Sequence, residues 1–393
     1  MVRSSDVRKT PTPGEWSQSL APSGIGDRLH AFAAEIFPIC RSITGNGVRE
    51  TLSHIERIIP LERTEVATGT PVLDWAVPKE WTIRDAWIKN AAGERVVDFR
   101  ACSLHVLNYS TPIRTRMSLQ ELKKNIFTLP EQPDLIPYRT SYYQERWGFC
   151  MTHNALQTLP EGEYEVCVDA DLAPGSLSYA EHVHVGERDE EVLLQAHICH
   201  PSLANDNCSG IALLAHLAAA MHGLGTKYTY RFLFAPGTIG AITWLSRNYE
   251  TSRRIKHGIV MSCVGDAGGP TYKRTWRGNS MIDRVMAHVL THETLTANIV
   301  DFFPYGYDER QYNSPGFRLD VGLFQRSQFA TFPEYHTSAD NLDFIKPAHL
   351  EASMRMAAQA IEVLECDALY ASTAPEGEPQ LGRRGLYSAI GGD

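Results

Sequence analysis

Between Val192 and Met221 the chain passes through an apolar strand, a polar loop and an apolar helix, and this succession restricts the fold more than any other feature. Val192–Ala196 reads VLLQA, mostly apolar, as a strand covered on both faces requires. The helix after it places Ile211, Leu214, Leu217, Ala218 and Met221 on one face, with Ser209-Gly210 in its opening turn. A buried strand feeding a buried helix is the repeating unit of a sheet covered by helices. The loop between them, HICHPSLANDNCSG from His197 to Gly210, carries His197, His200 and Asp206. Open α/β sheets place their chemistry at the carboxyl ends of such strands. Imidazole nitrogen with carboxylate oxygen is a donor set suited to zinc.

The unit recurs along the second half. Strands are expected at Tyr164–Val168, Tyr230–Phe234 and Gly258–Val264, and helices at 209–222, 238–248, 280–291 and 347–365. Two further helices are expected near the start, over Leu29–Phe37 and through Val48, Leu52 and Ile55. The order implies an α/β fold: a mixed, mostly parallel sheet flanked by helices. From 66 to 165 the texture changes to short strands rich in Trp, Tyr and Pro: DWAVPKEW, LHVLNYSTP and IPYRTSYYQERWGF. Turn signals between short strands predict an inserted β-rich domain. The expected division is a flexible arm over 1–20, an α/β domain from 21–65 and 166–370, the insert at 66–165, and a flexible tail over 371–393. Trp75, Trp81, Tyr138, Tyr142, Tyr143 and Trp147 are read first as the core of the insert. A cleft wall or a homo-oligomer contact is their other use.

Composition excludes several roles. At 43% apolar and 21% charged residues, the 393-residue chain is that of a soluble globular protein. A net charge of −9 leaves no basic footprint for nucleic acid or an anionic membrane surface. The N-terminal stretch MVRSSDVRKTPTPGEW has no apolar core of a signal peptide, and no run reaches the length of a membrane span. Eight scattered cysteines without a CxxC pair fit a reducing cytoplasm.

Three more loops follow apolar strands or precede the last helix. They hold Pro236-Gly-Thr-Ile-Gly240, Cys263-Val-Gly-Asp266 and Glu334-Tyr-His-Thr-Ser-Ala-Asp340. In a parallel sheet such loops converge on one edge, so His336 is a candidate third nitrogen and Asp266 a second carboxylate. Thr337, Ser338 and Asp340 equally have the residue types that cap a helix. The segment Tyr305-Gly-Tyr-Asp-Glu-Arg-Gln-Tyr312 crowds charge and aromatic rings into a turn. Asp308, Glu309 and Arg310 are candidates to bind a zwitterionic substrate, with Arg310 forking onto a carboxylate. Arg310, Tyr312 and Tyr335, with Arg139 of IPYRTSYY, are candidates for substrate binding.

Taken together, CRSITGNGVRETL, DWAVPKEW, NYSTP, IPYRTSYY, WGFC, HICHPSLANDNCSG, YDERQYNSPGF and YHTSADNLDF carry a family likeness over residues 28–365. The chain resembles the zinc aminopeptidase superfamily with a co-catalytic metal pair. More closely, it is similar to the aminopeptidase-like proteins that accompany bacterial polysaccharide and natural-product biosynthesis. The resemblance implies that His197, or His200 beside it, is the first ligand, Asp206 the bridging carboxylate and His336 the late histidine. It also implies a zinc-dependent hydrolase acting on a small amide or peptidic substrate in a biosynthetic pathway.

The departures qualify that expectation. The wider family has two adjacent glutamates after the next strand, one a base and one a ligand, where this chain has Gly237-Thr238. The family aspartate after the following strand falls near Ser262 and Cys263, ahead of Asp266, and Cys199 replaces the aspartate that follows the first histidine by two. One zinc ion is therefore expected rather than two. Glu309, Asp308, Glu334 or His200 would have to supply the missing base. A metal-dependent amide-forming or cyclising enzyme, or a former peptidase that only binds ligand, are the alternatives.

Overall fold

Four strands rich in Val, Ile, Leu and Phe make the centre of the molecule. In the computed structural model, which describes residues 9–387, these are Glu191–His197, Thr229–Ala235, Ile255–Met261 and Val321–Gln325. They pair in parallel, in the spatial order 229–235, 191–197, 255–261, 321–325. The chain leaves the 191–197 strand toward one side and the 255–261 strand toward the other. A crevice opens at that reversal, at the carboxyl ends of both strands. Ser176–His184 and Glu62–Ala67 extend one edge antiparallel, and Thr271–Lys273 with Asn298–Val300 extend the other, giving eight strands. The mixed, mostly parallel sheet expected from the sequence is present.

Alternation along the strand decides what reaches the crevice. Val192, Leu194 and Ala196 enter the core under helices Ile25–Ile36, Gly210–Ala220, Met281–Glu293 and Pro347–Cys366. Leu193 enters the core on the other face, shared with helix Ile239–Arg247 and the β-rich segment, and Gln195 and His197 share its parity. The helices expected at 209–222, 238–248, 280–291 and 347–365 form within a few residues of those bounds.

Three expectations change. The strand expected at Tyr164–Val168 spans Glu163–Ala173 and does not join the large sheet. It is central to a four-stranded antiparallel sheet with Arg95–Asp98, Glu80–Lys89 and Ile113–Ser118. Its alternating pattern, with Val166 and Val168 buried and Asp169 and Asp171 outward, suits a one-faced sheet. The loose arm expected over 1–20 is partly docked. Trp16–Leu20 is helical with both terminal side chains buried, because Trp16 supplies enough apolar surface to hold it, while residues 1–8 lie outside the described residues. The tail expected over 371–393 is exposed through 387, apart from partly buried Pro379 and Leu381, with a single 3₁₀ turn at Gly382–Arg384, and 388–393 lie outside the described residues. No helix among the described residues is long and apolar enough to cross a membrane, and all eight cysteines are free thiols.

Candidate metal centre and cleft

Asp206 sits in the turn that joins the 191–197 strand to the following helix, and its carboxylate is fully buried. His197 Nε2 lies 2.9 Å from one carboxylate oxygen, and His200 Nδ1 lies 4.0 Å from the same oxygen. His336 Nε2 lies 3.0 Å from the other oxygen. Donor atoms about 2.0–2.1 Å from one tetrahedral zinc are separated by about 3.3 Å, so spacings of this size suit a shared ion. His197, His200 and Asp206 form the one group of three or more such donors within ion-binding reach among the described residues. Burial works to raise the Asp206 carboxyl, yet His200, His197 and His336 hold it well below the usual carboxylate range. Burial also holds the His200 imidazole well below its ordinary value, which keeps it neutral and ready as a ligand.

Each candidate ligand is held from behind. Asp340 accepts hydrogen bonds from the backbone N–H groups of Asn205 (2.6 Å) and Asp206 (3.0 Å) and fixes the turn. The capping role considered for Asp340 is absent: the last helix begins at Pro347 with no side-chain cap. Asn207 accepts from Gly210 N–H at 3.1 Å and so joins the metal turn to its helix. Arg41 is fully buried and donates to the His200 carbonyl (2.8 Å), the Ile36 carbonyl (2.6 Å) and Cys208 Sγ (3.1 Å). His336 has φ +55°, a strained region for this residue type. The β-rich segment holds it there: Tyr138 N–H donates to the His336 carbonyl (2.7 Å) and Ser338 N–H to the Ile136 carbonyl (2.9 Å). The Tyr138 ring also meets His200 and His336 edge-on, at centroid distances of 5.2 and 5.0 Å.

Beside the histidines lies a cleft of about 330 Å³, bounded by His197, His200, Gly237, Tyr307, Asp308 and Arg310 on the α/β side. Trp75, Tyr142 and Tyr143 of the β-rich segment bound the other side. Trp75 and Tyr143 are about half exposed, with ring centroids 5.4 Å apart, while Trp81 is buried as a core residue. Tyr307 stacks on His197 at 4.8 Å, and Tyr335 on His336 at 3.9 Å.

The remaining candidates separate. Asp308 is buried, one oxygen accepting from Gln195 Nε2 and the other, Oδ1, without a partner. Burial pushes its carboxyl up to about 7, against the pull of His197. A Cβ placed on Gly237 would lie 3.5 Å from that free oxygen and 3.3 Å from His197 Cβ. Asp308 thus occupies the side of the cleft where a residue at 237 would project. Glu309 faces away, ion-paired at 2.7 Å to Lys273 with both side chains fully buried. Tyr312 does not line the cleft: it is fully buried and donates its hydroxyl to Gln195. Asp266 is not brought to the histidines either. Its carboxylate accepts from Asn205 Nδ2 (2.8 Å), Ser327 Oγ (2.6 Å) and Gly268 N–H (2.7 Å). Arg139 is exposed and donates to the neighbouring Tyr138 carbonyl (3.2 Å). Gln195 is a residue that motif spacing does not single out, although a polar residue inside VLLQA is itself a signal. Tyr143 and Trp75 look like core aromatics in sequence, because which face of an aromatic meets solvent leaves no mark in composition.

A parallel-centred sheet with imidazoles and a carboxylate at its reversal point defines an aminopeptidase-like protein, and comparison with known proteins agrees. The chain belongs to the family described as "Domain of unknown function (DUF4910)", matched over residues 30–367. A winged helix-turn-helix family matches residues 368–393. A Clostridium acetobutylicum relative, provisionally named a polysaccharide biosynthesis protein with an aminopeptidase-like domain, is 50% identical over 370 residues, 94% of this chain and 85% of the relative. A crystal structure of a provisionally assigned peptidase from the same organism superposes with TM-score 0.91 at 48% identity, covering 94% of this chain and 87% of that one. A zinc aminopeptidase from Bacillus subtilis shares the fold, with TM-score 0.61 at 12% identity over 90% of this chain and 95% of that one.

Proposed function

We propose that this protein is a zinc-dependent, aminopeptidase-like hydrolase that cleaves a small amide or peptidic substrate in a biosynthetic pathway. The reading is supported above all by one buried carboxylate, Asp206, facing three imidazoles at the edge of a small cleft. His197, His200 and Asp206 would hold one zinc, and His336 fixes the second carboxylate oxygen. Zinc bound there supplies a Lewis acid that polarises an amide carbonyl and lowers the pKa of water toward about 7.

Proton transfer falls to Asp308 in place of Glu309, whose charge is spent on Lys273. Oδ1 of Asp308 is free to take a proton from the attacking water and to return it to the leaving amine. Gln195 grips the other oxygen and Tyr312 grips Gln195, so the carboxyl group cannot swing. Tyr307 and the aromatic wall from the β-rich segment keep bulk water from the reacting groups. The printed name of the Clostridium relative favours a biosynthetic setting.

The loss of both glutamates at Gly237 and Thr238 favours a second reading, amide formation or cyclisation, in which the substrate's own amine is the nucleophile. The test is incubation of zinc-replete protein with dipeptides, amino-acid amides and N-acyl amines, followed by mass spectrometry. Hydrolysis releases free acid, and chelation stops it. Amide products without free acid support the second reading. Free-acid release that survives chelation, or no product from any substrate, contradicts the proposal.

A further inference from the structure

We propose that the small molecule received by this cleft carries an anionic group, and that Arg310 is the residue that binds it. The inference deepens the hydrolase reading and rests on it. At about 330 Å³ the cleft is at the low end of ligand pockets, about 300–1,000 Å³, so it holds one small molecule rather than a polymer segment.

Two cations sit on or under the 305–310 turn, and only Lys273 has a hydrogen-bonded acceptor. Lys273 donates to Glu309 (2.7 Å) and to the Tyr305 carbonyl (2.7 Å), 3.9 Å from the Phe303 ring centroid, so its charge is neutralised beneath the turn. The turn lies flat on that pair: a Cβ on Gly306 would fall 2.4 Å from Glu309 Oε1. Glu309 gives its Oε1 to Lys273 and makes no hydrogen bond to Arg310. The Arg310 guanidinium lies 5.9 Å from the Tyr305 ring centroid but makes no hydrogen bond or ion pair among the described residues, and its Nε is buried without a partner. It lines the cleft on the same wall as Asp308. Asp308 has one oxygen committed to Gln195. A part-buried guanidinium whose Nε has no acceptor is costly, and its planar fork matches a carboxylate or phosphate group. Across the cleft, the half-exposed rings of Trp75 and Tyr143 offer apolar faces to the rest of the ligand.

The experiment titrates the zinc-replete full chain with hippurate and hippuramide, two benzoyl amides of nearly equal size that differ in charge. Phenyl phosphate is a third probe that separates a carboxylate from a phosphate preference. Binding is read by calorimetry, and circular dichroism verifies that the variant is folded. Hippurate or phenyl phosphate is expected to bind about tenfold or more tighter than hippuramide, as one charge-assisted pair provides. R310Q loses that preference while its affinity for hippuramide stays unchanged. Equal affinities in the wild type, binding of none of the probes, or a preference that persists in R310Q overturns the proposal. Elemental analysis of the same samples keeps the two readings apart. Zinc present without an anion preference sinks this inference alone, and an anion preference in protein that holds no zinc sinks the hydrolase reading.

Discussion

At the residue scale, Gly237 and Asp308 exchange roles. A glycine after the 229–235 strand removes a side chain from the cleft, and a carboxylate from the 305–310 turn stands 3.5 Å from where its Cβ would be. Asp308→Asn is expected to lower kcat by about 10²–10⁴ while leaving zinc content unchanged, as measured by steady-state rates and elemental analysis. In the wild type kcat/KM should rise with pH through about 7, as Asp308 loses its proton, and the variant should lack that limb. Stability moves the opposite way. The folded-state pKa lies above that of the unfolded chain, so the native state holds the extra proton between about pH 4 and pH 7. Folding stability therefore falls as pH rises across that window, by up to about 1.4 kcal/mol per pH unit from this group. Asp308→Asn should flatten the slope in denaturant titrations at several pH values. Lys273→Met leaves Glu309 buried and unpaired and is expected to cost about 3–5 kcal/mol in the same assay.

At the element scale, the 136–138 segment strapped to 336–338 makes the β-rich part a component of the candidate metal centre. Asp340 does similar work from the other side, through the N–H groups of Asn205 and Asp206. Asp340→Ala should weaken zinc binding by about 10–100-fold in competition with a chelating dye, the usual effect of removing a support behind a ligand. Gly45, at φ +98°, has its Cα against Trp81: an added Cβ would fall 1.7 Å from the Trp81 carbonyl oxygen. Gly45→Ala is expected to separate helix Asn46–Glu56 from strand Glu80–Lys89, seen as a large loss of thermal stability. The sequence reveals the elements whose pattern is strong. Helix Pro347–Cys366 repeats its apolar positions over five turns, and within strand Glu191–His197 the stretch Val192–Ala196 is apolar apart from Gln195. It conceals Thr271–Lys273 and Asn298–Val300, three residues each, where pairing with neighbours and not local preference makes the strand. It also misassigns 163–173, because a strand's residues state its pattern but not its partner.

Across the whole molecule, the loops that carry His197, Asp206 and His336 do meet at one sheet edge, as convergence at a topological reversal requires. That part of the candidate site was legible because ligand residue types follow buried strands. Asp266 was the exception. It follows the 255–261 strand, but Asn205, Gly268 and Ser327 satisfy it, and loop direction after a strand is set by packing that no spacing rule encodes. The placement of Asp308 beside Gly237 was hidden for the same reason, since the two lie on different loops. The most direct measurement is zinc per chain by elemental analysis of purified wild type, His197→Ala and Asp206→Ala. The account predicts about one zinc in the wild type and none in either variant. A wild type without metal, a value near two, or zinc retained in both variants would contradict it.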